Sequence, residues 1–124
     1  MNQKTFINEF TVFIKCAVKL NEGVKRNGLS SLDGEIWDLD DEYFKQGLSL
    51  IADKTDPAII DEILSNKIAC EKDKYARQYK TIVKRAVLAI QAGLDTRLLI
   101  FVLLSYANLP PDAQKKVECE LMRD

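Results

Sequence analysis

Few side chains in this sequence can do chemistry, and their spacing restricts them further. Cys16, Cys70 and Cys119 are widely separated and form no C-x-x-C pattern. A nucleophilic cysteine needs an adjacent base, and the chain has no histidine, which also removes the commonest neutral metal ligand. The three cysteines read as free thiols of a reducing compartment, and no signal peptide precedes them, so a cytoplasmic location is expected. Asp38-x-Asp40-x-Glu42 opens like a calcium loop. Its sixth position, however, is Tyr43 where glycine is required, and its twelfth is Ser49 where glutamate is required. The five glycines make neither a dinucleotide fingerprint nor a phosphate loop. No metal, cofactor or enzymatic activity is expected.

Charge is more informative. In "KRNGLSSLDGEI", residues 25 to 36, Lys25 and Asp33 flank a turn at Gly28. Residues 33 to 62 hold ten acidic and two basic side chains, whereas residues 67 to 85 hold seven basic and two acidic. Arg77, Lys80 and Lys84 recur at three- and four-residue steps on one helix face, with Tyr75 and Tyr79 nearby. That pattern suits either a solvated face or a basic strip for nucleic acid or an acidic partner. The net charge of -1 points to neither nucleic acid nor an anionic membrane.

The elements that must position these groups are helical. Apolar residues from Phe6 to Val24 keep helical spacing, predicting a helix from about residue 4 to Asn27 that Gly28 ends in a left-handed cap. Ser30 or Ser31 would cap a short second helix reaching Trp37, and a third would span residues 41 to 53 behind the acidic run. Asp56-Pro57 starts a fourth. Ile60 through Ile90 keep its period, so one long helix is expected to run to Gly93. Asp95 to Ala107 reads as a fifth, apolar nearly all round and therefore buried, including Leu99, Phe101 and Val102. Pro110-Pro111 starts a sixth through Met122. Trp37 and the tyrosines are expected in or against the core. The fold class is all-α: one soluble domain, residues 1–124, a bundle of about six helices with a long fourth. The longest uninterrupted apolar run, Leu98 to Leu104, is seven residues, against the roughly 20 of a spanning helix.

"EGVKRNGLSSLDGEI" followed by "DEYFKQGLSLIADKTDPAIIDEIL" resembles the cytoplasmic loop of the flagellar stator family MotA over about residues 20 to 68. The family pattern runs "ARREGLLALE", a phenylalanine, then "KGLxLxxDGTDPxxIxxIL". Arg26, Gly28, Leu29, Leu32, Phe44, Lys45, Gly47, Leu48, Leu50, Asp53, Thr55, Asp56, Pro57, Ile60, Ile63 and Leu64 match it in order and spacing. The resemblance implies a non-enzymatic protein-interaction module of bacterial motility. Its partner would be the rotor protein FliG or a stator subunit. In the family a basic residue three before the glycine and an acidic residue five after it engage FliG; here these are Lys25 and Asp33, and the expected partner-binding set is Lys25, Arg26, Asp33 and Glu35. Lysine lacks the planar fork of the family's arginine, so a weaker contact is implied. The family's membrane spans are absent, and "KYARQYKTIVKRAVLAIQ" stands where an apolar span should follow; ion-channel activity does not carry over. The alternative is a nucleic-acid-binding helical regulator using Arg77, Lys80 and Lys84. A third reading is a structural subunit of a helical oligomer.

Overall fold

A computed structural model describes residues 1–122. They form α1 (Gln3–Asn27), a 3-10 turn (Leu29–Ser31), α2 (Leu32–Ile36), α3 (Glu42–Ala52), α4 (Pro57–Cys70), α5 (Lys74–Ala92), α6 (Thr96–Ala107) and α7 (Pro111–Leu121). The all-α expectation holds, with no strand among the described residues. No helix there is long and apolar enough to cross a membrane.

Helix starts follow local chemistry. Asn2 accepts the Thr5 N–H, Asp41 those of Tyr43 and Phe44, Asp56 that of Ala58, and Asp95 those of Arg97 and Leu98. Each cap satisfies first-turn donors that have no intrahelical partner. Pro57 and Pro111 open α4 and α7 as expected. Gly93 closes α5 in the left-handed conformation.

The expected long fourth helix is two helices, which raises the α-helix number from six to seven. The chain leaves α4 at Glu71, whose N–H still bonds the Ile68 carbonyl, and re-enters a helix behind Asp73, which accepts the Ala76 N–H at 2.8 Å. Glu71 Oε2 accepts the Asp73 N–H, and the N-terminal ammonium lies 3.0 Å from Asp73 Oδ1, so the break is held from both sides. The apolar period survives the break because Ile68 and Tyr75 are two turns apart in sequence. Helix α4 then folds back along α5, with Lys84 on Asp61 at 2.8 Å and Lys80 on Glu71 at 3.1 Å.

Helix α5 is the hub, and α1, α3, α4 and α6 all pack on it. One continuous core joins Phe6, Phe10, Phe13 and Ile14 of α1 to Phe44, Leu48 and Ile51 of α3, and to Ile82, Val83, Ala86 and Ile90 of α5. Phe13 meets Phe44 edge to face with ring centroids 4.8 Å apart, and Tyr79 at 5.7 Å, an arrangement aromatic quadrupoles favour. Among the described residues Asn21 is the one buried polar side chain. Its Nδ2 donates to the Leu94 carbonyl and the Thr96 hydroxyl, tying α1 to the turn between α5 and α6.

Three further expectations are corrected. Helix α6 buries Leu99, Ile100, Leu103, Leu104 and Ala107, but Leu98 is 52% exposed and Phe101 44%; only one face meets α1 and α5, and the other faces out. Trp37 is not core but 79% exposed, because the buried Ile36 and part-buried Leu39 on either side take the inward direction. Tyr43, Tyr75 and Tyr79 do pack on the core, whereas Tyr106 is exposed. Neither Ser30 nor Ser31 caps α2 through its side chain; a 3-10 turn leads directly into it.

Candidate functional site

The turn at Gly28 is built from both sides. Helix α1 buries Leu20 and Val24, which leaves Lys25 and Arg26 outward in its last turn, beside carbonyls whose partial charge favours cations. Gly28 closes the helix by donating to the Val24 carbonyl at 2.7 Å, with φ 81° and ψ 176°. This is a positive-φ cap, though an extended one and not the left-handed form expected. A Cβ there would meet nothing within 4 Å, so the requirement for glycine comes from φ alone.

Helix α2 has five residues and buries Leu32 and Ile36. That i, i+4 pair fixes which side is inward, so Asp33, Gly34 and Glu35 between them must face solvent. Lys25, Arg26, Asp33 and Glu35 are all exposed, and none forms an ion pair among the described residues. Arg26 and Glu35 come together across a hollow of about 140 Å³ that Lys19 and Ser31 also line. Lys25 and Asp33 stand outside that hollow.

Arg77, Lys80 and Lys84 do not form an open strip on α5. Lys80 bonds Glu71 and lies over the Tyr43 ring; Lys84 bonds Asp61 and the Ser65 hydroxyl. The Lys84 hydrogen bond holds the Asp61 carboxyl below its ordinary range. The Asp73 N–H, and after it Lys80, does the same for Glu71. Arg77 alone of the three is exposed. Tyr75 rests on Phe6, and Tyr79 rests on Phe13 while its hydroxyl donates to Asp41 at 2.7 Å. Neither ring is placed to stack a base.

The acidic run does local work at one residue. Asp41 Oδ1 accepts two N–H groups of α3 while Oδ2 takes the Tyr79 hydroxyl. Burial, and then Asp41, pushes the Tyr79 phenol well above its ordinary pKa; the same causes raise Tyr43, whose hydroxyl donates to the Leu64 carbonyl. Among the described residues no three carboxylate or thiol groups converge as a metal site. Asp38 and Asp40 border a cleft against α1, a grouping the sequence reading missed because Glu9, its acidic counterpart on α1, lies far off in the chain.

Motility protein A of Borreliella burgdorferi is 41% identical to this chain over 67 residues, which is 54% of this chain and 24% of that protein. The chain thus spans about a quarter of the length of the curated relative it matches. The similarity supports a MotA-like relationship. No family model matches the sequence, and no solved structure matches it.

Proposed function

We propose that this chain is a non-enzymatic interaction module of the flagellar motor, related to the cytoplasmic part of MotA, which binds a rotor or stator component through Lys25, Arg26, Asp33 and Glu35. The observation that carries this reading is the 41% identity to Motility protein A. The geometry is compatible: the four charges are exposed on the two sides of one turn, with no internal ion pair among the described residues to occupy them. Exposed charges set association rate and partner choice more than raw affinity, so a contact of this kind suits repeated engagement with a moving partner. The proposal includes no ion conduction.

Titration against the purified C-terminal domain of FliG at low salt tests it. Saturable binding is expected, weakened by Lys25→Glu and by Asp33→Lys, and partly restored by a complementary reversal on FliG. Each substitution should leave stability within about 0.5 kcal/mol, as exposed changes usually do. Absence of binding at high micromolar concentration overturns the rotor-binding form of the proposal. The pairing of Lys80 with Glu71 and of Lys84 with Asp61 weighs against the nucleic-acid alternative, which requires those lysines to be free for phosphates.

A further inference from the structure

A cleft of about 450 Å³ separates the first half of α1 from the segment linking α2 to α3. Phe13 and Phe44 line its interior, and Val12 and Leu39 add apolar wall. Val12 is 71% exposed although its neighbours on α1 are core phenylalanines. Among the described residues the rim has one sign of charge: Glu9 comes from α1, Asp38, Asp40 and Asp41 come from the linker, and no lysine or arginine lines the cleft. Asp41 is occupied by α3 and Tyr79. Glu9, Asp38 and Asp40 are exposed and form no ion pair among the described residues. Two wall groups are themselves shifted: burial first, and then Glu35 against an opposing Lys19, pushes the Cys16 thiol up, and burial and then Asp41 push up the Tyr79 phenol.

We propose that this cleft docks a basic amphipathic helix of a partner protein, seating one or two bulky apolar side chains over Phe13 and Phe44 and setting lysines or arginines against Glu9, Asp38 and Asp40. Charge complementarity selects that occupant. A neutral or acidic segment would desolvate three unpaired carboxylates or face like charge, which costs binding outright, whereas a cationic one neutralises them. The volume falls within the roughly 300–1,000 Å³ of sites that accept a discrete ligand, and an apolar centre inside a polar rim is the usual anatomy of a specific interface. The site is separate from the Gly28 turn. Lys25 lies nine residues beyond Cys16 on α1, about 14 Å along the axis, so this docking site does not depend on the FliG reading.

The test uses the intact chain and two fluorescein-labelled synthetic helices of equal length and pattern, one of leucine and lysine and the other of leucine and glutamate. Anisotropy should show saturable binding of the lysine helix only. Trp37, the sole tryptophan and next in sequence to Asp38, should shift its emission in step. The triple variant Glu9→Lys/Asp38→Lys/Asp40→Lys should weaken binding about tenfold or more, and Val12→Gln should weaken it through lost apolar contact. Glu62→Lys, an exposed change on α4, should leave it unaltered. All of these positions are exposed, and circular dichroism checks that each variant folds. The proposal is overturned if the lysine helix does not bind, if both helices bind equally, or if the triple variant binds as well as the parent. Sedimentation supplies a further arm: self-association abolished by the triple variant would make a second copy the occupant and overturn it also.

Discussion

Gly47 sits in the middle of α3 where the backbone runs against α5, and a methyl group there would have nowhere to go. A Cβ built on Gly47 lies 2.6 Å from one Val87 methyl carbon and 3.2 Å from the other. Non-bonded carbons sit best at about 3.5–4.0 Å, so the nearer methyl must retreat by about 1 Å. Val87 is fully buried and β-branched, and such a side chain has essentially one rotamer in a helix. It cannot swing away, so the helices must part. Gly47 has no positive φ; the glycine is required by the close approach and not by the turn of the chain. Overpacking of this kind costs about 1–3 kcal/mol, while Gly→Ala in a helix interior returns about 1 kcal/mol of propensity. With a rigid, buried neighbour the upper part of the first range applies, so Gly47→Ala should destabilise the protein by about 1–2 kcal/mol, or about 4–8 °C in Tm for a domain of this size. The sign should reverse once Val87→Ala removes both methyls. That substitution alone costs about 1.6 kcal/mol or more, but in its background Gly47→Ala should stabilise by about 0.5–1 kcal/mol, because only the propensity gain remains. Urea unfolding of the parent, the two single variants and the double variant, followed by circular dichroism, measures the coupling as a closed cycle. A Gly47→Ala effect of the same size and sign in both backgrounds would refute the close-approach account.

Two other perturbations follow from the hydrogen-bonded core. Tyr43 and Tyr79 hold phenol pKa values raised above the ordinary one by burial and then by Asp41. The unfolded chain therefore loses these protons first, so their stabilisation is intact below about pH 10 and declines as pH rises above it. Urea midpoints at neutral and alkaline pH should show that decline in the parent and a shallower one in Tyr43→Phe/Tyr79→Phe; equal slopes would count against it. Asn21→Leu should cost about 1–3 kcal/mol, because the Leu94 carbonyl and the Thr96 hydroxyl lose their buried donor. A urea midpoint unchanged within error would show that water replaces the amide there.

What was legible in the sequence is what is local. Asp41, Asp56 and Asp95 cap helices because a short carboxylate before a helical run satisfies N–H groups a few atoms away, and Pro57 and Pro111 mark starts for an equally local reason. The outward direction of Asp33 and Glu35 also follows from Leu32 and Ile36 within one short helix. The break at residues 71 to 73 was not legible. Ile68 and Tyr75 stay in phase across it, and the signal, Asp73 three residues before Ala76, is one carboxylate in a run of four charged residues. Hydropathy could not say which side of α6 would be left bare, since Phe101 and Leu103 are alike in type and only the position of α1 and α5 separates them.

The acidic linker marks the boundary between these two kinds of information. Of its carboxylates, Asp41 is accounted for by capping and by Tyr79. Asp38 and Asp40 have no such local use. What gives them a shared surface with Glu9 is the contact of Phe13 with Phe44, which brings α3 and its preceding linker against α1. The same is true of Lys80 and Lys84 on α5, which have the spacing of a binding strip in sequence yet are drawn onto Glu71 and Asp61 by the fold-back of α4. Spacing along one helix predicts which charges share a face. Whether that face is free is decided by the helix that packs across it, which is why Lys80 and Lys84 are occupied while Glu9, Asp38 and Asp40 form no ion pair among the described residues.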